Sequence, residues 1–158
     1  MAKGLLGGGN IAKEGKMIKG ALEGVKVLDF TIQAAGPHGV RQLTDWGATV
    51  IKVESIARPD TFRQGAPMKA DIPGVDRSLK FLAQNAGKMS IGLNLKYPQG
   101  MEIAKRLVKW TDVMYQNFAG GVIKRMGLGY DVVKEINPGI IMVSSSVFGD
   151  KSVDKPAY

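Results

Sequence analysis

The sequence contains no cysteine and only one histidine, His38. Disulfide bonds and thiolate metal sites are therefore excluded, and so is a metal site built from imidazoles alone. Long apolar runs are missing as well, because the longest, residues 140–143, is far shorter than the roughly 20 residues of a membrane-spanning helix. These absences predict a cytoplasmic protein with no metal site and no membrane partner.

The chain has a positive charge balance and the apolar content of a packed domain. Its 158 residues include 22 basic and 14 acidic side chains, which gives a formal net charge of +8, and 44% of the residues are hydrophobic. That length and composition fit one folded domain. The basic surplus favours an acidic partner, which could be a nucleic acid, an anionic membrane or a phosphorylated small molecule.

From residue 24 onward, strand and helix patterns alternate. The pattern predicts strands over residues 24–30, 48–54, 90–95, 112–118 and 140–147, and helices over residues 40–46, 98–110, 122–126 and 130–136. This alternation indicates an α/β fold, with a doubly wound and mostly parallel sheet. Residues 55–80 break the pattern with three prolines and no clear period, and a loop of that length is typically functional or covers a site.

The helix predicted over residues 98–110 separates an apolar face from a basic face. The apolar stripe consists of Ile103, Ala104, Leu107, Val108 and Trp110. Lys105, Arg106 and Lys109 fall on the opposite face, which we interpret as solvated. Nucleic-acid binding would require a basic stripe interleaved with aromatic rings, so we do not expect a nucleic-acid partner.

The first predicted turn fits a dinucleotide site poorly. A Rossmann fingerprint needs three glycines, but this turn has only Gly36 and Gly39, and Pro37 removes an amide that could hold a phosphate. Glu54 does end the second strand, where an acid that binds ribose would lie. One matching feature of two does not support NAD as a cofactor.

A more specific cluster follows the fourth predicted strand. Asn117 and Phe118 end that strand, and Arg125 follows in the next short helix. Ligands of open α/β sheets bind at the carboxyl ends of parallel strands. Phe118 could stack on a heteroaromatic ring or belong to the buried core, and Arg125 could hold a phosphate.

The chain resembles the family III CoA-transferases, which include formyl-CoA and carnitine CoA-transferases and α-methylacyl-CoA racemase. The segments that carry the resemblance are, in order, ALEGVKVLDFT, AGP, LTDWGATVIKVE, NAGKMSIGLNLKYPQGMEIAKRLVKWTDV, QNFAGGVIKRMGLGYDVVKEINPGII and SSSVFG. Residues 1–20 precede the matching segments, and the three successive glycines at residues 7–9 predict a flexible extension there. The resemblance implies a Rossmann-like CoA-binding region over residues 21–158 that is incomplete at its C-terminus.

The resemblance further implies a substrate and a site. Coenzyme A or acyl-CoA is expected as a substrate, with no permanently bound cofactor, and a carboxylic acid is the expected second substrate. The implied CoA contacts are Leu93, Lys96, Asn117, Phe118, Val122, Arg125 and Met126. Members of the family form interlocked dimers, so we expect a homodimer or a heteromer with a homologous subunit.

Two positions depart from the family pattern. A glutamine in the first loop orients the acyl group in many transferases; here Gln33 lies one position early and Ala34 occupies the expected site. Ser55 replaces the basic residue that often helps to hold the nucleotide, so Arg58 or Arg63 could substitute for it.

The family nucleophile, an aspartate, would lie beyond Tyr158, so the 158 residues are expected to bind CoA but to be inactive alone. Racemases of the family have a histidine at the position of Tyr158 and use it for α-proton transfer. A tyrosine has the wrong pKa for that role near neutral pH, so Lys155 to Tyr158 favours a transferase over a racemase. A racemase, a non-catalytic subunit of a heteromeric transferase and a basic nucleotide- or RNA-binding α/β module remain alternatives.

Overall fold

The computed structural model describes residues 20–55 and 57–146. The strands are β1 (Lys26–Asp29), β2 (Thr49–Glu54), β3 (Met89–Gly92), β4 (Val113–Gln116) and β5 (Ile141–Ser144). The helices are α1 (Ala35–Asp45), α2 (Leu79–Asn85), α3 (Pro98–Trp110), α4 (Val122–Arg125) and α5 (Tyr130–Ile136). The expectations for residues 1–19, for the end of the last strand beyond residue 146 and for Tyr158 lie outside the described residues.

The five described strands form one parallel sheet in the order β3-β2-β1-β4-β5. Val27 at the centre pairs with Val50 of β2 on one side and with Val113 of β4 on the other. From β1 the chain therefore builds outward in one direction to β2 and β3, and later in the other direction to β4 and β5. This arrangement confirms the predicted doubly wound α/β fold, and its strand order is that of a Rossmann sheet.

Successive residues of β1 point to opposite faces of the sheet, and each face has its own apolar core. Leu28 belongs to a cluster with Ala104 and Val108 of α3, which also includes residues of α4 and α5. Val27 belongs to a second cluster, with Val40 of α1. Because helices cover both faces, every central strand is buried on both sides, as expected for a parallel sheet.

The apolar stripes of α1 and α3 are narrower than the sequence predicts. Trp46 lies just beyond the last residue of α1 and is 60% exposed, so it is not part of that helix's buried face. Ile103 of α3 is 37% exposed, whereas Ala104 and Val108 are fully buried. Small residues face the sheet at these two positions, which lets α3 pack close to it.

Gly47 has a φ of 98°, which confirms its role in ending α1.

The segment predicted as an irregular loop contains short helical turns. Two 3₁₀ turns, Thr61–Gln64 and Lys69–Asp71, precede α2. The Oγ of Ser78 accepts a hydrogen bond from Phe81 N and so caps α2, a helix that the sequence pattern did not predict. Across residues 20–55 and 57–146, no helix has both the length and the apolar character that crossing a membrane requires.

Candidate functional site

The carboxyl ends of β1 and β4 meet at the point where the strand order reverses. One side chain joins these two ends: Asn117 Oδ1 accepts a hydrogen bond from Ile32 N at 2.8 Å, and Asn117 Nδ2 donates one to Ile32 O at 2.8 Å. In open α/β sheets this reversal leaves a crevice in which ligands bind. The residues that surround it therefore form the candidate site.

Gly36 allows the two strand ends to approach this closely. A Cβ built at this position would lie 2.7 Å from Thr31 Cβ and 2.9 Å from Asn117 Cγ. Both distances are too short for real carbon contacts, so a side chain at residue 36 would displace Asn117 or the loop after β1. The glycine of the AGP segment thus has a steric role at the crevice.

The loop after β1 is held by side chains from neighbouring elements. Asp29 Oδ1 accepts hydrogen bonds from both the N–H and the hydroxyl of Thr31. Lys52 Nζ donates to Thr31 O at 2.6 Å, and Gln33 N donates to Asp60 Oδ2 at 3.0 Å. Together with the two Asn117 bonds, these contacts bind every backbone polar group from Thr31 N to Gln33 N to a side chain. Gln33 is fixed in a left-handed conformation with a φ of 64°.

Two buried ion pairs lie beneath this loop. Lys52 Nζ is 3.6 Å from Asp60 Oδ2, and Lys88 Nζ is 2.8 Å from Asp29 Oδ2. All four side chains are at most 1% exposed. Burial lowers the pKa of Lys88, and the attraction of Asp29 offsets this only in part. The cluster thus contains two basic and two acidic side chains, so its formal charges balance.

Glu54 and Arg63 form a third pair, which bears on the residues considered for nucleotide binding. Arg63 Nη2 donates to Glu54 Oε2 at 2.7 Å, Arg63 also pairs with Asp76, and its guanidinium lies 3.7 Å from the centre of the Phe81 ring. Burial raises the pKa of Glu54, but the hydrogen bond and charge of Arg63 outweigh it, so this pKa lies below its ordinary value. Glu54 is therefore not placed as a ribose-binding acid. Arg58 and Arg63 were the two arginines considered for binding the nucleotide. The guanidinium of Arg63 is already paired with Glu54 and Asp76, whereas Arg58 is exposed.

An apolar wall borders the crevice on the side of the sheet covered by α3. Leu93 is buried in the cluster that contains Ile123 of α4, and Phe118 packs against the same cluster while staying half-buried. Val122 and Met126, which follow Phe118 in the chain at the two ends of α4, are also half-buried. Phe118 therefore combines core packing with a partly accessible surface, and its stacking on a ligand ring stays a prediction.

Two exposed cations follow β3 and β4 in the chain. Lys96 follows β3 and Arg125 ends α4, and neither side chain makes a hydrogen bond or ion pair within residues 20–55 and 57–146. The ends of β3 and β4 are separated by β2 and β1, which corresponds to about 14 Å at the usual strand spacing. The site thus has the extent that an elongated ligand with separate anionic and apolar parts requires.

Gln33 and Ala34 lie on the other side of the crevice, because they lead into α1. The structure therefore separates the sequence-predicted residues into two groups. Leu93, Lys96, Phe118, Val122, Arg125 and Met126 follow β3 or β4 in the chain, and Gln33 and Ala34 belong to the loop after β1. Asn117 links the two groups, since both polar atoms of its amide bond Ile32.

Sequence reasoning missed the buried charges Asp29, Lys52, Asp60 and Lys88. One signal was present, because Lys52 interrupts the apolar run of β2. A lysine in a strand buried on both faces requires an anionic partner. The sequence did not identify that partner, since Asp60 lies in the irregular segment.

Residues 22–158 match the family model described as CoA-transferase family III. The chain is 44% identical over 129 residues to a formyl-CoA:oxalate CoA-transferase of Rhodopseudomonas palustris, which covers 82% of this chain and 29% of that protein. It is 38% identical over 135 residues to an acyl-CoA transferase of Fusarium pseudograminearum, which covers 83% of this chain and 30% of that protein.

Solved structures give the same result. A CAIB/BAIF family protein from Brucella suis matches with a TM-score of 0.72 and 37% identity, covering 80% of this chain and 33% of that one. A hypothetical protein from Mycobacterium tuberculosis matches with a TM-score of 0.70 and 34% identity, covering 79% of this chain and 33% of that one. The chain thus spans a third or less of the length of these relatives. The chain belongs to CoA-transferase family III.

Proposed function

We propose that this chain is the CoA-binding part of a transferase that moves CoA between an acyl-CoA donor and a carboxylic acid. The observation that carries the proposal is the crevice at the strand reversal, bordered by a half-exposed apolar wall and flanked by Lys96 and Arg125. CoA has a polyanionic nucleotide end and a long, largely uncharged pantetheine arm. The arrangement of charge and apolar surface fits both parts.

Each part of CoA has a proposed binding surface. Lys96 and Arg125, with the exposed Arg58 at the end of β2, would bind phosphates through charge-assisted hydrogen bonds. Phe118, with Val122 and Met126, would pack against the adenine ring or the pantetheine arm. Leu93 is buried, so its main contribution would be to support that wall. Asn117 would act by fixing the loop after β1 rather than through its own amide.

The proposed reaction uses covalent catalysis by a carboxylate. An aspartate outside the 158 residues would attack the carbonyl carbon of the acyl-CoA thioester and expel the CoA thiolate, which gives a mixed anhydride. The thiolate would then attack the aspartyl carbonyl, release the donor carboxylate and leave an aspartyl thioester of CoA. The acceptor carboxylate would reverse these two steps and leave as the new acyl-CoA. The contribution of this chain would be to hold CoA while its thiolate is free.

Small carboxylic acids are the proposed acyl groups. Several similar proteins are named formyl-CoA:oxalate CoA-transferases, which makes formyl-CoA, oxalate and oxalyl-CoA the first compounds to test. Assembly as a homodimer or heteromer and a cytoplasmic location remain predictions, and so does the domain boundary near residue 20.

Calorimetric titration with CoA tests the proposal. We expect the wild-type chain to bind CoA, and Arg125→Ala to weaken binding by about tenfold through loss of a charge-assisted contact with a phosphate. Arg106→Ala is the matched control, because it removes the same exposed charge from α3 away from the crevice. Added salt should weaken wild-type binding. No binding by the wild type, or equal losses in both variants, would refute the proposal.

A further inference from the structure

Asp60 connects the irregular segment that follows β2 to the loop that follows β1. Its Oδ2 accepts a hydrogen bond from Gln33 N at 3.0 Å, and its Oδ1 accepts one from Phe62 N at 3.0 Å. Asp60 N in turn donates to Glu54 Oε1 at 3.2 Å. The Asp60 carboxylate is completely buried. Each of its two oxygens accepts a hydrogen bond from a backbone N–H.

Gln33 requires such a contact because its backbone conformation is unfavourable. A φ of 64° is sparsely populated by residues other than glycine and costs of the order of 1 kcal/mol or more unless the surroundings impose it. The neighbouring Ile32 is fixed by Asn117, but Gln33 N is fixed by Asp60. The left-handed turn therefore depends on a side chain that lies 27 residues further along the chain.

Lys52 helps to hold Asp60 in position. Its ammonium group lies 3.6 Å from Asp60 Oδ2 and donates to Thr31 O, one residue before the pair of contacts to Ile32. Lys52 and Asp60 thus bind adjacent parts of the same loop and fix its distance from β2.

The charge distribution indicates which end of CoA this loop would face. The exposed cations Arg58, Lys96 and Arg125 follow β2, β3 and β4, whereas the described loop over residues 31–34 contains no charged residue. Phosphates would therefore lie toward those cations. The uncharged loop is left for the thioester end of the ligand.

From these contacts we propose that Asp60 is a positioning residue, which sets the loop over residues 31–34 against the acyl group of a bound acyl-CoA. This inference rests on the proposed function, because it requires that the crevice bind a CoA thioester. It predicts that Asp60 affects recognition of the acyl group more than recognition of CoA itself.

The test compares CoA with oxalyl-CoA in calorimetric titrations of the 158-residue chain. We expect Asp60→Ala to weaken oxalyl-CoA binding about tenfold or more and to change CoA binding less than about twofold, since the loss of one fixed contact to a charged group has an effect of that order. Asp76→Ala is the matched control: it is the same substitution in the same segment, but at an 86% exposed side chain. It should leave both affinities unchanged.

A second variant separates positioning from simple loss of folding. Asp60→Ala leaves Lys52 buried without its partner, whereas Lys52→Met combined with Asp60→Leu replaces the whole ion pair by apolar groups, an exchange that many proteins tolerate. The double variant should retain cooperative thermal unfolding and still discriminate poorly between the two ligands. Amide hydrogen exchange at Gln33 should accelerate at least tenfold in both Asp60 variants and not in Asp76→Ala.

A selective loss of oxalyl-CoA affinity in both Asp60 variants supports the inference. Equal losses for CoA and oxalyl-CoA, or no loss in the folded double variant, overturn it while leaving the proposed function intact. If the wild-type chain binds neither compound, the proposed function fails, and the inference fails with it.

Discussion

Replacing Asn117 by alanine removes both hydrogen bonds that join the end of β4 to the loop after β1. Each of these bonds is 2.8 Å long, and the contact is partly buried. A hydrogen bond of this kind contributes about 1 kcal/mol net, and an N–H or C=O group left without a partner costs somewhat more. Because water can reach the half-buried Ile32, we expect the free energy of unfolding to fall by about 2 kcal/mol.

Thermal unfolding and CoA titration measure the two consequences of Asn117→Ala. A loss of about 2 kcal/mol corresponds to a decrease in Tm of about 4–8 °C for a chain of this size. CoA affinity should fall about fivefold, because the neighbouring Phe118 is no longer held at the crevice.

Asn137→Ala is the matched control for this prediction. Asn137 Nδ2 donates to Val108 O at 3.2 Å and to Thr111 O at 2.7 Å, so it also joins two elements, but it precedes β5 and lies at the amino ends of the strands. Its loss should lower stability by a similar amount without changing CoA affinity. The reasoning is refuted if Asn117→Ala costs less than about 0.5 kcal/mol, below the range of one net hydrogen bond. It is also refuted if both variants weaken CoA binding equally.

Two further predictions concern the steric role of Gly36 and the pH dependence of Glu54. Gly36→Ala should lower the free energy of unfolding by about 1–3 kcal/mol, as forced overpacking does, and should also weaken CoA binding; unchanged denaturant midpoints would contradict this. Glu54→Gln should destabilise the protein at neutral pH, because the folded-state pKa of Glu54 lies below the ordinary value of 4.5. Its ionised form therefore stabilises the fold above that pH, and the stability difference between wild type and variant should shrink as the pH falls below 4.5. Chemical denaturation between pH 7 and pH 3 measures this, and a constant difference would be inconsistent with it.

The sequence predicted the sheet because its signals are local. Each strand is a short apolar run bounded by turn residues, and Gly47 and Pro98 mark the ends of helices by their own backbone geometry. The helix α2 escaped prediction because it is seven residues long and buries only Phe81, so no repeating apolar stripe develops. Ser78 was a capping signal, but a capping residue alone does not distinguish a helix from a turn.

The buried charges at the site could not be paired from the sequence. Lys52 and Asp60 are separated by a turn whose path no local pattern predicts, and Lys88 is 59 residues from Asp29. Choosing Arg58 over Arg63 for the nucleotide likewise required the Glu54 contact. The family resemblance predicted which residues contact the ligand. The structure shows that the side-chain amide of Asn117 forms hydrogen bonds with the backbone of Ile32 at the crevice.

The central claim is that CoA binds at the carboxyl ends of the strands, where the strand order reverses. Amide chemical-shift mapping of the isotope-labelled chain during titration with CoA tests it most directly. The account predicts the largest shifts at residues 93–96 and 117–126, with smaller ones in the loop over residues 31–34. It predicts no shifts at residues 137–139, which lie at the amino ends of the strands. Shifts concentrated at the amino ends of the strands, or on the basic face of α3, would contradict the account.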